Sequence, residues 1–201
     1  MIVFARHGQT APNRDGLVLG RADPELTEEG HRQAVLLAAA LAGEPVAAIV
    51  TSPLLRARQT AEVVAGACGG GVPLAVDQRL VEIDWGTWEG RPAGSLAVAD
   101  VDRWRADDGT APEGESLDSL SRRVESFCVE TLEDDGLVVA VSHVSPIKAA
   151  AAWALGVDGT VAWRMFLGLA SITRVGRGRT SPVLLSFNET GHLRPAEDRT
   201  R

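Results

Sequence analysis

Arg6-His7-Gly8 follows an apolar run at residues 2–5, Ser142-His143 follows one at 137–141, and Ser52-Pro53 with Arg56 follows one at 47–50. Each polar set sits where a buried strand should end, and together they hold two histidines and two arginines. Arginine presents a planar fork of donors that matches phosphate oxygens, and a helix starting just beyond adds backbone N–H groups and a favourable dipole. A neutral histidine is a nucleophile that can carry a phosphoryl group, dividing one hard displacement into two easier ones. The departing alcohol then needs a proton donor. Glu82, Asp84 and Glu89 are candidates around the glycine-punctuated stretch at 83–90, and spacing alone does not choose among them. Arg56 and Arg58 lie two apart and so point to nearly opposite sides of a helix. Arg56, nearer the helix start, is the one expected to face the site.

Positioning these groups requires strands that alternate with helices. Residues 2–5, 47–50 and 137–141 read as buried strands, and 74–76 as a further strand. Residues 8–24 read as a loop. Thr27 is the expected N-cap of a helix running to about Ala42, with Glu28 and Glu29 in a first turn that favours negative charge. A second helix, 54–65, should close at Gly66. Residues 83–115 read as an insertion with one short helix at about 95–107. Ser116 should cap a helix to about Leu132, Pro146 suits the first turn after the strand at 137–141, and 171–175 with 183–187 should form a hairpin. The alternation implies an α/β sandwich with a mostly parallel sheet, whose ligands bind beyond the carboxyl ends of the strands. Residues 1–193 read as one domain and 194–201 as a frayed tail.

The 201 residues carry a formal charge of −7, which argues against nucleic acid as a partner and makes a tight Arg/His cluster a local exception. Two cysteines, Cys68 and Cys128, form no CxxC pair, so a reducing, cytoplasmic setting is expected. The start Met1-Ile2-Val3-Phe4-Ala5-Arg6 has no signal-peptide pattern. The longest apolar runs, 34–42 and 149–155, fall short of the ~20 residues a membrane span needs. A homodimer through apolar helix faces stays open. His31, His192, Arg21 and Lys148 are expected at the solvated surface, and Trp104, Trp153 and Trp163 in packing. Glu115 either complements a helix start or reaches the site's mouth. Trp85 and Trp88 either stack on an aromatic leaving group or pack their loop. His7 and His143 lack a carboxylate at the spacing of a metal site.

Arg6-His7-Gly8-Gln9-Thr10 with Asn13 resembles the RHG-(E/Q)-T-x-x-N signature of the histidine phosphatase superfamily, the phosphoglycerate-mutase-like fold. Asp23-Pro24-Glu25-Leu26-Thr27-Glu28-Glu29-Gly30, Ser52-Pro53-Leu54-Leu55-Arg56-Ala57-Arg58-Gln59-Thr60-Ala61, Leu80-Val81-Glu82-Ile83-Asp84-Trp85-Gly86-Thr87-Trp88-Glu89-Gly90 and Val141-Ser142-His143 match further segments in order. The resemblance implies a three-layer α/β/α sandwich and a phosphomonoesterase that needs no metal or cofactor. It makes His7 the nucleophile and Glu82 the proton donor. Arg6, Arg56 and His143 would bind the phosphoryl group, Asn13 would add a contact, and Val144, just after His143, would border the substrate. The Glu-Arg-His-Tyr run of the mutases is replaced by Glu82-Ile83-Asp84-Trp85, and the chain has no tyrosine, which favours the phosphatase branch. His143-Val144-Ser145-Pro146-Ile147-Lys148 is similar to α-ribazole phosphatases and actinobacterial acid phosphatases. A small phosphorylated metabolite is the implied partner, α-ribazole 5′-phosphate being one candidate. A phosphoglycerate mutase and a non-catalytic phospho-ligand binding module are the alternatives.

Overall fold

The computed structural model describes residues 1–69, 71–96 and 110–194. Six strands form one sheet: β1 (Ile2–Arg6), β2 (Val46–Thr51), β3 (Leu74–Val76), β4 (Leu137–Ser142), β5 (Ile172–Arg177) and β6 (Pro182–Glu189). Their order is β3-β2-β4-β1-β5-β6. The first four strands run parallel, and β5 and β6 add an antiparallel edge. Because side chains alternate across a strand, β1 feeds both faces of the sheet. Ile2 and Phe4 join Leu120, Phe127 and Ile147 on one side, while Val3 and Ala5 join Leu37, Leu41, Ala57 and Val64 on the other. This double burial is why β1 and β4 read as continuous apolar runs rather than alternating ones.

The helices α2 (Glu28–Leu41) and α3 (Leu55–Ala67) cover one face, and α4 (Leu117–Glu133) and α5 (Val144–Leu155) cover the other. The sandwich is therefore three-layered, as expected. Thr27 and Ser116 act as the expected N-caps, accepting from the backbone N–H of Gly30 at 3.0 Å and of Ser119 at 3.1 Å. Pro146 sits in the first turn of α5, where its missing N–H costs nothing.

Four features depart from the sequence reading. The stretch 8–24 is not all loop: Ala11–Arg14 forms a short helix, α1, because Thr10 and Asn13 cap each other's backbone N–H reciprocally. Gly66 does not end α3, which runs on to Ala67, and the left-handed turn comes at Gly69 with φ +89°. The strands reach one residue further than expected, taking in Arg6, Thr51 and Ser142. Of the helix expected at 95–107, the described part is a 3-10 turn at Ala93–Ser95. The remainder, with Trp104, lies outside the described residues, as do 195–201.

One close approach fixes the entry of α2 against the chain leaving β1. A Cβ on Gly30 would sit 2.1 Å from the Gln9 carbonyl oxygen, and one on Gly8 would sit 2.3 Å from the Gly30 carbonyl oxygen. Helix propensity alone would favour alanine at Gly30 by about 1 kcal/mol. The backbone clash outweighs that preference, so Gly30→Ala should lower stability by roughly 2 kcal/mol or more in urea unfolding. A stabilised variant would mean that the two segments are not held this closely.

Candidate active site

The strand register assembles the site. β1 and β4 pair in parallel from Ile2 opposite Val138 to Arg6 opposite Ser142. The next residues, His7 and His143, therefore leave neighbouring strands side by side, with ring centroids 5.0 Å apart. On the far side of β4, Thr51 pairs with Val141, which brings Ser52 level with Ser142 and so beside His143. The Ser52 Oγ then lies 2.7 Å from His143 Nε2. Arg56 enters from the first turn of α3, whose leading N–H at Leu55 is capped from outside by the Asp23 carboxylate.

His7 and Arg56 are both buried. Nδ1 of His7 lies 2.7 Å from the Gly8 carbonyl oxygen, which must accept and so assigns the proton to Nδ1. Nε2 is left with its lone pair, toward which Arg56 Nε donates at 3.3 Å. The rest of the Arg56 fork donates to the carbonyls of Ala22 and Gly20, both at 2.8 Å. Arg6 donates to the Leu167 carbonyl at 2.7 Å, and its buried Nε has no partner among the described residues. His143 Nδ1 is likewise buried and unpartnered among them.

Burial pushes the His7 and His143 pKa values well below 6.5, and the nearby positive charges of Arg56 and Arg6 push the same way. Both rings are thus neutral over the ordinary pH range. Burial also lowers Arg6 to about 10, Glu82 opposing the shift and Arg56 adding to it. Two desolvated guanidinium groups, two neutral imidazoles and unpartnered buried polar atoms make a site suited to an anion.

Glu82 is buried beside this cluster, with Oε1 accepting from the backbone N–H of Ile83 at 2.8 Å and of Ser145 at 3.2 Å. A cavity of about 370 Å³ opens over Arg6, His7 and Glu82, and Asn13, Val144 and Ser145 also line it. Trp85 and Trp88 both border it, nearly parallel with centroids 6.4 Å apart. They also pack inward: Trp88 lies against Ala111, with Val18 and Leu96 alongside. The pair thus packs its loop and borders the cavity at the same time.

Geometry separates the three acidic candidates. Asp84 accepts from the Gly86 N–H within its own turn. Glu89 takes the N–H groups of Gly20, Arg21 and Ala22 at 2.9, 3.1 and 2.6 Å. Its carboxylate thus clips the loop whose carbonyls hold Arg56, an arrangement the sequence did not suggest. Asn13 points its Oδ1 at Thr10 as a cap while still lining the cavity. Arg58 is exposed, as is His31.

Two surface expectations are corrected. Lys148 is half-buried, its pKa lowered by burial and influenced by Glu82 and Arg6, because α5 carries it back over the site one turn after Val144. His192 is half-buried, with Nε2 2.9 Å from the Ala170 carbonyl oxygen. Arg21 is exposed, as expected, and pairs with Glu115 at 3.0 Å; Glu115 also receives Arg123, so it ties loop to helix rather than reaching the cavity. Unforeseen too was the Leu17-Val18-Leu19 wall, although three apolar residues in a polar loop were a visible signal. Among the described residues, no group of three His, Cys, Asp or Glu is placed to hold a metal ion, and no helix is long and apolar enough to cross a membrane.

The fold and this rim of residues define a three-layer α/β protein with a site suited to an anion, and comparison makes the assignment specific. The chain belongs to the histidine phosphatase superfamily (branch 1), whose family model matches residues 2–190. It is 33% identical over 207 residues to the probable phosphoglycerate mutase GpmB of Yersinia enterocolitica, covering 96% of this chain and 94% of that one. The phosphoserine phosphatase of Entamoeba histolytica, solved as a mutant in complex with phosphoserine, superposes with a TM-score of 0.85 at 31% identity, covering 96% and 98% of the two chains. The α-ribazole phosphatase of Shigella flexneri gives a TM-score of 0.81 at 26% identity, covering 94% and 96%. The chain spans about half the length, 54%, of the Bifunctional protein Rv2228c of Mycobacterium tuberculosis, to which it is 37% identical over 202 residues and 96% of its own length.

Histidines held neutral in the fold but free to charge when unfolded give stability a definite pH slope. Below about 6.5 the unfolded chain binds more protons than the folded one, so stability falls as pH falls through that value. From pH 7.5 to 5.5 in phosphate-free buffer, the two rings together should cost about 2–3 kcal/mol in urea unfolding. His143→Gln should roughly halve that loss. A flat profile over this range would mean the rings are not held neutral.

Proposed function

We propose that this protein is a phosphomonoesterase that hydrolyses a small phosphorylated metabolite through a phosphohistidine on His7, without a metal ion. The observation that carries the reading is the His7 ring itself. Its proton is held on Nδ1 by the Gly8 carbonyl, and its Nε2 lone pair faces the Arg56 guanidinium under the floor of the cavity.

In the first step Nε2 of His7 attacks phosphorus and the bond from phosphorus to the alcohol oxygen breaks. Glu82 gives a proton to that oxygen, and the neutral alcohol leaves. In the second step the Glu82 carboxylate takes a proton from water, the oxygen attacks phosphorus, and the bond to His7 breaks to release phosphate. Arg6, Arg56 and His143 hold the equatorial oxygens, as cations and donors do in phosphoryl transfer. The unpartnered Arg6 Nε and His143 Nδ1 are donor positions that such oxygens would satisfy. Asn13 and Val144 border the substrate.

The phosphatase relatives support hydrolysis, and α-ribazole 5′-phosphate remains a substrate candidate beside broader specificity. The likeness to GpmB favours one second reading, a mutase that returns the phosphoryl group to its substrate. A non-catalytic binding module would hold phosphate or vanadate and turn nothing over.

Phosphate release from 3-phosphoglycerate, α-ribazole phosphate and an aryl phosphate, all with EDTA present, separates these readings. Release is expected from the wild type, and His7→Ala should lose several orders of magnitude while keeping its fold. Near-wild-type hydrolysis by that variant would end the phosphohistidine mechanism. Glu82→Gln should slow alkyl phosphates by roughly 10²–10⁴ while largely sparing activated aryl phosphates. Equal losses on both would move the acid role elsewhere.

A further inference from the structure

We infer that the alcohol half of the substrate is an apolar, ring-bearing group that carries no charge where it fills the cavity, which excludes short carboxylated alcohols as preferred substrates. The inference rests on the phosphomonoesterase reading and narrows it. If phosphorus lies at His7 and the departing oxygen at Glu82, the rest of the alcohol must occupy the cavity above them. The walls there are Leu17, Val18, Leu19, Trp85, Trp88 and Leu96. Asn13 and Ser145 are the uncharged polar groups among the lining residues, and Arg6 belongs to the phosphoryl end.

Two physical effects then act in the same direction. A flat apolar ring laid against indole and aliphatic walls gains hydrophobic burial and ring-on-ring contact. A carboxylate in the same place loses its water and finds Arg6, the one cation among the described lining residues, already engaged at the phosphoryl end. The wall is preformed, which lowers the ordering cost of binding. Trp88 is only 5% exposed, packed against Ala111 with Val18 and Leu96 beside it. Glu89 fixes the backbone of 20–22 directly after Leu19. A volume of about 370 Å³ suits a molecule larger than a three-carbon acid.

The test compares alcohols of similar leaving ability, so that chemistry does not masquerade as recognition. For 2-(naphthalen-1-yl)ethyl phosphate, kcat/KM should exceed that for phosphoserine by roughly 100-fold. Leu17→Lys, at a partly exposed wall position, should narrow this ratio about 10-fold by placing a cation near the alcohol. Trp88→Ala should narrow it similarly by removing ring contact. Phosphoserine turned over as well as or better than the naphthyl ester, or a ratio unmoved in both variants, would overturn the inference and leave the phosphomonoesterase reading standing. Absence of phosphate release from every ester would overturn both.

Discussion

The in-register parallel pairing of β1 with β4 is the constraint on which the rest of the site depends. It sets Arg6 opposite Ser142 and so delivers His7 and His143 together, though they are 136 positions apart in sequence. A slip of one residue would turn every side chain of β1 to the opposite face. Ile2 and Phe4 would then trade places with Val3 and Ala5 between two differently shaped cores, so packing on both faces protects the register. Stability of the sheet and geometry of the site are one property here. The backbone bonds that continue the pairing, His7 N–H to the Ser142 carbonyl and Ser52 N–H to the Val141 carbonyl, both at 3.0 Å, carry the alignment past the strand ends.

Burying positive charge beside that junction is costly, and the chain offsets the cost with neutral acceptors. Arg56 is held by two backbone carbonyls and an imidazole, and Arg6 by one carbonyl. No carboxylate forms a direct ion pair with either among the described residues, although Glu82, Asp23 and Glu89 favour the charged form of Arg56 from further away. A direct ion pair would commit the guanidinium to the protein itself. Acceptance by carbonyls fixes its orientation and leaves its charge for an anion. The loop at 20–22 is what makes this work, because Glu89 engages its N–H groups on one side while its carbonyls turn to Arg56 on the other.

The cavity is accordingly two-sided. Its floor is cationic and rigid, built from strand ends and a helix start. Its walls are apolar and come from the loop after α1 and the short 3-10 turn at Gly86–Trp88 with its neighbours. In the proposed reaction the floor performs the chemistry and the walls choose the alcohol. Loops tolerate change better than strand ends do, which is how one fold serves different substrates.

Much of this was legible in one dimension. The apolar runs at 2–5 and 137–141 marked buried strands because a doubly covered strand has no polar face. Thr27 and Ser116 marked helix starts because a hydroxyl there satisfies an orphan N–H. The polar residues after each run marked the rim, and the choice of Arg56 over Arg58 followed from helical geometry. The sequence could not choose among Glu82, Asp84 and Glu89, since three carboxylates in one stretch differ only in what they meet after folding. One entered the cavity, one closed a turn and one clipped a distant loop. Lys148 and His192 looked like surface residues because burial of a lone polar side chain depends on the elements packed above it. The tertiary structure alone decided these matters, and the reason is physical. Periodicity and capping are local, whereas desolvation and hydrogen-bond partnership are set by groups that the chain brings together from far apart.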